Sequence, residues 1–194
     1  MEKISYYPSN EQILDRGTRS VCYREGGDVF KVISGFRSKE KASKVLQDVS
    51  NDYETLRREF GDYVVPTIFE MSKNEKEFSI VLKQPYIFGV SIKRAFELSV
   101  EHSLNKSNLL DFLGRVVTMH QNTGQIPDVF GRPHIFGWYN TLTTPNVRVE
   151  ITDNLLTPRL LDVGFARISK NLLTGSLHNR LLANNIRKTI EENA

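Results

Sequence analysis

Short alternating runs open the chain. Ser20-Val21-Cys22-Tyr23-Arg24 and Val29-Phe30-Lys31-Val32-Ile33 are β-rich. Glu25-Gly26-Gly27-Asp28 between them predicts a hairpin turn, because glycine accepts the positive φ such turns need. A longer period follows. Leu46, Val49, Tyr53, Leu56 and Phe60 recur at steps of three and four, which predicts a helix from about Ser38 to Phe60, ended by Gly61. Two further strand-like runs, Val64 to Glu70 and Glu77 to Lys83, flank the polar turn Ser72-Lys73-Asn74-Glu75. Pro85 to Gly89 punctuates the chain and marks a candidate boundary between two lobes.

Beyond that point helical spacing dominates. Ser107 can cap a helix running to about Asn122, with Leu109, Leu110, Leu113, Val116, Val117 and His120 on its buried side. Short strands are expected at Val147 to Ile151 and Arg159 to Leu161. A last helix, from about Ser176 to Glu192, would bury Leu177, Leu181, Ile186 and Ile190. The expected order is thus a strand-rich lobe with one helix (residues 1–85), then a helical lobe with a small hairpin (86–194).

Composition narrows the classes. A chain of 194 residues with 39% hydrophobic and 25% charged positions is neither disordered nor collagen-like. No apolar run approaches the roughly 18 residues a membrane helix needs. The opening residues lack the apolar stretch of a signal peptide, so a cytoplasmic location is expected. The single cysteine, Cys22, excludes an internal disulfide framework. A net charge of +3, from 26 basic and 23 acidic residues, is too balanced to announce a nucleic acid or an anionic membrane as partner.

Chemistry concentrates at a few polar positions inside apolar runs. Lys31 sits mid-strand on the same face as Val29 and Ile33. It is either a snorkelling lysine on an edge strand or a phosphate-gripping lysine in a cleft. Asp162 is released at the end of Leu160-Leu161 and followed by Val163-Gly164; an aspartate there has no apolar role, and its hard oxygens suit magnesium. His120 stands upstream of a further aspartate, Asp128. His102, His134 and His178 are scattered without metal-ligand spacing and read as surface or packing residues.

This order of parts, from Leu14 to Arg167, resembles the protein-kinase-like fold, which includes the aminoglycoside phosphotransferases. That resemblance implies an α+β, two-lobed domain with a truncated helical C-terminal lobe, binding ATP and Mg²⁺ between its lobes. It implies that Lys31 contacts the α- and β-phosphates, with Glu54 on the helix as its ion-pair partner. Gln84 would be the gatekeeper, with the Pro85 carbonyl and the Ile87 amide holding adenine. Asp162 would bind magnesium, and Asp128 would stand where the catalytic loop keeps its aspartate. Cys22 would take the place of the valine above the adenine.

The sequence also departs from that pattern. Of the three phosphate-loop glycines only Gly17 is present, Asp15 and Ser20 occupying the other places. The His-Arg-Asp triplet reads Ile126-Pro127-Asp128, and Val163 replaces the phenylalanine of Asp-Phe-Gly. Pro133 stands where the catalytic-loop asparagine is expected. Asn146, leading into the next strand, is the better match, with Asn140 in reserve. The intervening Phe130 to Thr143 segment, with Trp138 and Tyr139, reads equally as a substrate-covering lid or a packing plug. After Arg167 there is room for one helix, not the several on which protein kinases present a peptide. The implied function is transfer of the ATP γ-phosphate to a hydroxyl of a small molecule or protein. The alternative is a pseudokinase, a nucleotide-binding or scaffolding module without transfer.

Overall fold

The computed structural model describes residues 13–16, 20–127, 146–163 and 172–193, with the side chains of 172–178 left aside. The Asp128 and Gly17 positions and the 130–143 segment lie outside the described residues. Among those described, the protein is α+β. Its elements are β1 (Ile13–Arg16), β2 (Ser20–Glu25), β3 (Asp28–Phe36), α1 (Lys39–Phe60), β4 (Ile68–Lys73), β5 (Phe78–Pro85), α2 (Ile92–His102), α3 (Ser107–Thr123), β6 (Val147–Thr152), β7 (Leu155–Leu160) and α4 (Leu172–Asn193). No described helix is long and apolar enough to cross a membrane.

The chain divides into two compact units, residues 1–51 with 65–86 and residues 52–64 with 87–194. The chain passes from one to the other between Tyr86 and Ile87, inside the Pro85–Gly89 stretch, and α1 contributes its first half to one unit and its second half to the other.

In the first unit five antiparallel strands form a sheet in the order β1-β2-β3-β5-β4. The β2–β3 turn forms where the glycines predict it, with Gly26 at φ 59°. Tyr23, Ile80, Val81 and Leu82 are buried. Tyr23 stacks on Phe30, directly opposite in register, with ring centroids 5.2 Å apart. The edge-strand reading of Lys31 is corrected here: β3 is the central strand, paired on both sides. β4 starts at Ile68 rather than Val64, because Pro66 has no N–H to give a ladder. Val64 instead bridges to Leu160.

In the second unit α3 supplies most of the core. Leu109, Phe112, Leu113, Val116, Val117 and Met119 are buried. They pack with Leu56 and Phe60 of α1, Ala95 and Phe96 of α2, Val147 and Val149 of β6, Leu156 and Leu160 of β7, and Leu182 and Ile186 of α4. Phe112 meets Phe60 and Tyr63 at centroid distances of 5.5 and 5.6 Å. Leu110 and His120, expected in the buried face of α3, are only half-buried, and Phe112 and Met119 take the interior.

This unit differs from expectation at four points. α2 was not anticipated, although its signal is local: Ser91 accepts the Arg94 N–H at 3.2 Å as an N-cap, and Ile92, Ala95, Phe96 and Ser99 form its buried face. Ser107 is the first helical residue of α3 rather than its cap. The Lys106 position caps it, and the Asn105 side chain accepts the Ser107 N–H at 2.9 Å. α4 starts at Leu172 rather than Ser176, and its buried face is Leu182, Ala183 and Ile186, leaving Leu181 exposed. The strand expected at Arg159–Leu161 begins earlier, at Leu155, because the turn sits at Asp153–Asn154, both at positive φ of 50° and 63°.

Candidate functional site

Antiparallel register decides which side chains share a face, since directly opposed residues point the same way. Lys31 pairs with Cys22 on β2 and with Leu82 on β5. Cys22 in turn pairs with Asp15, and Leu82 with Phe69. Asp15, Cys22, Lys31, Leu82 and Phe69 therefore form one row across the sheet. The adjacent row on that face is Arg24, Val29 and Gln84. Lys31 is half-buried, its amine borne on a stem that crosses apolar neighbours.

The far end of β5 is held from two directions. Pro85 pairs with Asp28, and the Tyr86 N–H donates to the Gly27 carbonyl at 2.8 Å. The Arg24 guanidinium lies 4.1 Å from the centre of the Tyr86 ring while its Nε donates to the Gly26 carbonyl. Lys83 forms an ion pair with Asp28 at 2.9 Å. The hairpin turn is thus fastened to the segment that leaves the sheet.

Gln84 has a second tie. Its Nε2 donates to Thr67 Oγ1 at 2.8 Å, and Thr67 Oγ1 donates to the Val65 carbonyl at 3.0 Å. Sequence reading did not connect Thr67 with Gln84, because the link depends on the β4–β5 register. With Ile68 opposite Lys83, the preceding Thr67 falls beside Gln84.

In the second unit the β6–β7 hairpin positions two expected metal ligands. Val147 pairs with Leu160, and the Leu161 N–H donates to the Asn146 carbonyl at 2.8 Å. Asn146, the residue before β6, and Asp162, two residues after β7, therefore emerge at the same end of the hairpin. An amide oxygen and a carboxylate are both hard donors of the kind magnesium accepts. Among the described residues no group of three or more His, Cys, Asp or Glu side chains could hold a metal by themselves.

The other end of that hairpin is anchored too. The Asn105 N–H donates to the Asn154 carbonyl at 2.7 Å, and the Leu156 N–H donates to the Asn105 carbonyl at 2.9 Å. Val90 and Val149 exchange two backbone bonds, at 3.0 and 2.9 Å. Gly89 sits so close to β6 that a Cβ there would lie 2.7 Å from the Val149 carbonyl oxygen.

Of the expected site residues, Lys31 and Pro85 belong to the first unit, and Glu54, Ile87, Asn146 and Asp162 to the second. Glu54 is exposed on α1. The structure puts Asn146 and Asp162 at the same end of the β6–β7 hairpin and Gln84 on the Lys31 face. Gly17 and Asp128 fall outside the described residues. Compared with known protein families the chain matches none, and no curated protein matches it.

Proposed function

We propose that the two units are the lobes of a reduced kinase-like domain that transfers the γ-phosphate of ATP to a hydroxyl acceptor, a small molecule or a protein side chain. The observation that supports this most is a pairing of features: a lysine on the central third strand, and an Asn–Asp donor pair at one end of a separate hairpin. Phosphotransferases of this class need both parts, with the lysine on the third strand.

In this reading Lys31 holds the α- and β-phosphates, and Glu54 steadies Lys31. The Pro85 carbonyl and the Ile87 N–H take the base, and Gly17 lies by the phosphates. Asn146 and Asp162 hold magnesium, which when bound neutralises phosphate charge. Asp128 orients the acceptor and takes its proton. The acceptor oxygen bonds to the γ-phosphorus as the bond from that phosphorus to the β–γ bridging oxygen breaks, and ADP leaves.

One observation favours a second reading, a nucleotide-binding module without transfer. Asp15 lies in the Lys31 row with its carboxylate accepting the Arg16 N–H at 2.8 Å. A carboxylate on that face repels phosphate unless a cation screens it.

Thermal melting with Mg·ATP tests both. A ligand that binds only the folded chain raises its melting temperature by mass action. Lys31→Ala should shrink that rise, and Asp162→Asn should remove its magnesium dependence. With labelled ATP, the wild type should phosphorylate itself or hydrolyse ATP slowly, and Asp128→Asn should cut the rate by about 10²–10⁴-fold. Binding without turnover selects the second reading. No melting shift at millimolar Mg·ATP defeats both.

A further inference from the structure

We infer that Arg148 and Arg159 form a phosphate-binding site on the β6–β7 hairpin, a site that goes beyond the reading above and does not require it. The two arginines stand directly opposite each other, Arg148 on β6 and Arg159 on β7. Opposed residues share a face with Cβ atoms about 4.5–5.5 Å apart, and like charges so placed destabilise the strand pair. By alternation the strand residues of that face are Arg148, Glu150 and Thr152 against Leu155, Thr157 and Arg159. Glu150 is the one carboxylate among them, and it is already committed. Its Oε2 accepts the Arg159 Nε–H at 2.6 Å, while Arg159 Nη1 donates to the Asp62 carbonyl at 2.8 Å.

Arg159 is thereby held from two sides with donors to spare, since a guanidinium carries five N–H groups. Arg148 has no such tie. Although half-buried, its guanidinium makes no hydrogen bond or ion pair among the described residues. The flanking sequence offers little compensation: 128–145 and 164–171 carry one acid, Asp128, against Arg132, Arg167 and Lys170. Two cations thus share one carboxylate, and an anion from outside would relieve the imbalance. Phosphate suits the place. Its oxygens point in several directions, so guanidinium groups on two strands can each bond it, and charge-assisted bonds of this kind are strong. Asn146 stands two residues before Arg148, where the ladder still holds through the Leu161 N–H. The phosphate therefore lies toward the Asn146 end of the hairpin, and its source is a nucleotide or a phosphorylated acceptor.

The test measures melting temperature in sodium phosphate and in sodium chloride at matched ionic strength and pH, without magnesium. Phosphate stabilises proteins generally by exclusion from their surfaces, so the comparison is between wild type and Arg148→Gln. Wild type should gain at least about 2 °C more from phosphate than the variant does. Arg148→Lys, which keeps the charge without the planar fork, should lose about half of that difference, and it carries the comparison if Arg148→Gln does not fold. Equal gains in wild type and variant overturn the inference and leave Arg148 a packing residue. A wild-type gain from acetate as large as that from phosphate also overturns it. Repeating the phosphate series with saturating Mg·ATP identifies the source. A gain that disappears assigns the site to the nucleotide's own phosphates, and one that persists assigns it to the acceptor. Without any response to Mg·ATP the nucleotide reading falls, while a phosphate gain that needs Arg148 keeps this site standing.

Discussion

The β2–β3 hairpin and the β6–β7 hairpin both carry candidate ligand-binding residues, yet they are supported in opposite ways. β3 lies in the middle of a five-stranded sheet, so Lys31 is held by continuous ladders on both sides. Among the described residues β6 and β7 have only each other as strand partners. A lone two-stranded hairpin is marginal in water. Here it survives because single bridges from Val64, Val90 and Asn105 clasp it at separate points, and because its Val147, Val149, Leu156 and Leu160 side chains enter the helical core. The lysine thus depends on ladders within its own sheet, whereas the Asn146–Asp162 pair depends on residues outside its hairpin. Damage to the core of the second unit should therefore reach Asn146 and Asp162 and spare the lysine.

The strongest way to break that comparison is Phe112→Ala. Phe112 is fully buried between Phe60 and Tyr63. Its truncation should cost about 3–5 kcal/mol and lower the melting temperature by roughly 10 °C. Amide hydrogen exchange should then accelerate in β6 and β7 but not in β2 and β3. Equal loss in both hairpins would mean the two are not independently supported.

Gly89→Ala is a more local probe. The new methyl would meet the Val149 carbonyl oxygen at 2.7 Å, well inside van der Waals contact. Relief requires Val90 and Val149 to separate, at a cost of about 1–3 kcal/mol. The expected signature is faster exchange at those two amides, together with a weaker magnesium dependence of any ATP-induced stabilisation. Unchanged exchange there would show that the clasp is not structural.

The smallest expected effect concerns His120, near the C-terminus of α3. A helix C-terminus favours the charged imidazole. Burial, and then the nearby Arg187 charge, outweigh that and hold its pKa below the usual histidine value. The unfolded chain therefore binds the proton more readily than the folded one. Stability contributed by neutral His120 is present above about pH 6.5 and is lost as pH falls through the lowered folded value. His120→Gln should flatten the dependence of melting temperature on pH between about 5 and 7 while leaving the pH 8 value nearly unchanged. A slope identical to wild type would place the acid-sensitive group elsewhere.

Much of this molecule follows from short-range rules. The β2–β3 turn, the α1 helix ended by Gly61 at φ 57°, and the left-handed Gly124 (φ 69°) after α3 each need only a residue and its near neighbours. Even α2, overlooked in reading the sequence, is written locally in Ser91 and the apolar spacing that follows it. Lys31 and Asp162 are conspicuous because charged groups placed in or at the end of apolar runs cost free energy without a partner or a purpose.

Register and long-range closure are another matter. Whether Lys31 lies on an edge or a central strand depends on which strands flank β3, and β5 arrives only after a helix and another strand. The placing of Asn146 and Asp162 at one end of the hairpin depends on a turn at Asp153–Asn154 that sets Val147 opposite Leu160; one residue of slip would have turned the strand over. The tie on Gln84 needs Thr67 beside it and the Val65 carbonyl within reach, a chain of three residues on two segments. Alternation along a strand is written by nearest neighbours, so the sequence determined by itself which residues share a face. Which faces meet was decided only by the tertiary structure, because pairing energy depends on partners that the chain brings together after long loops have closed.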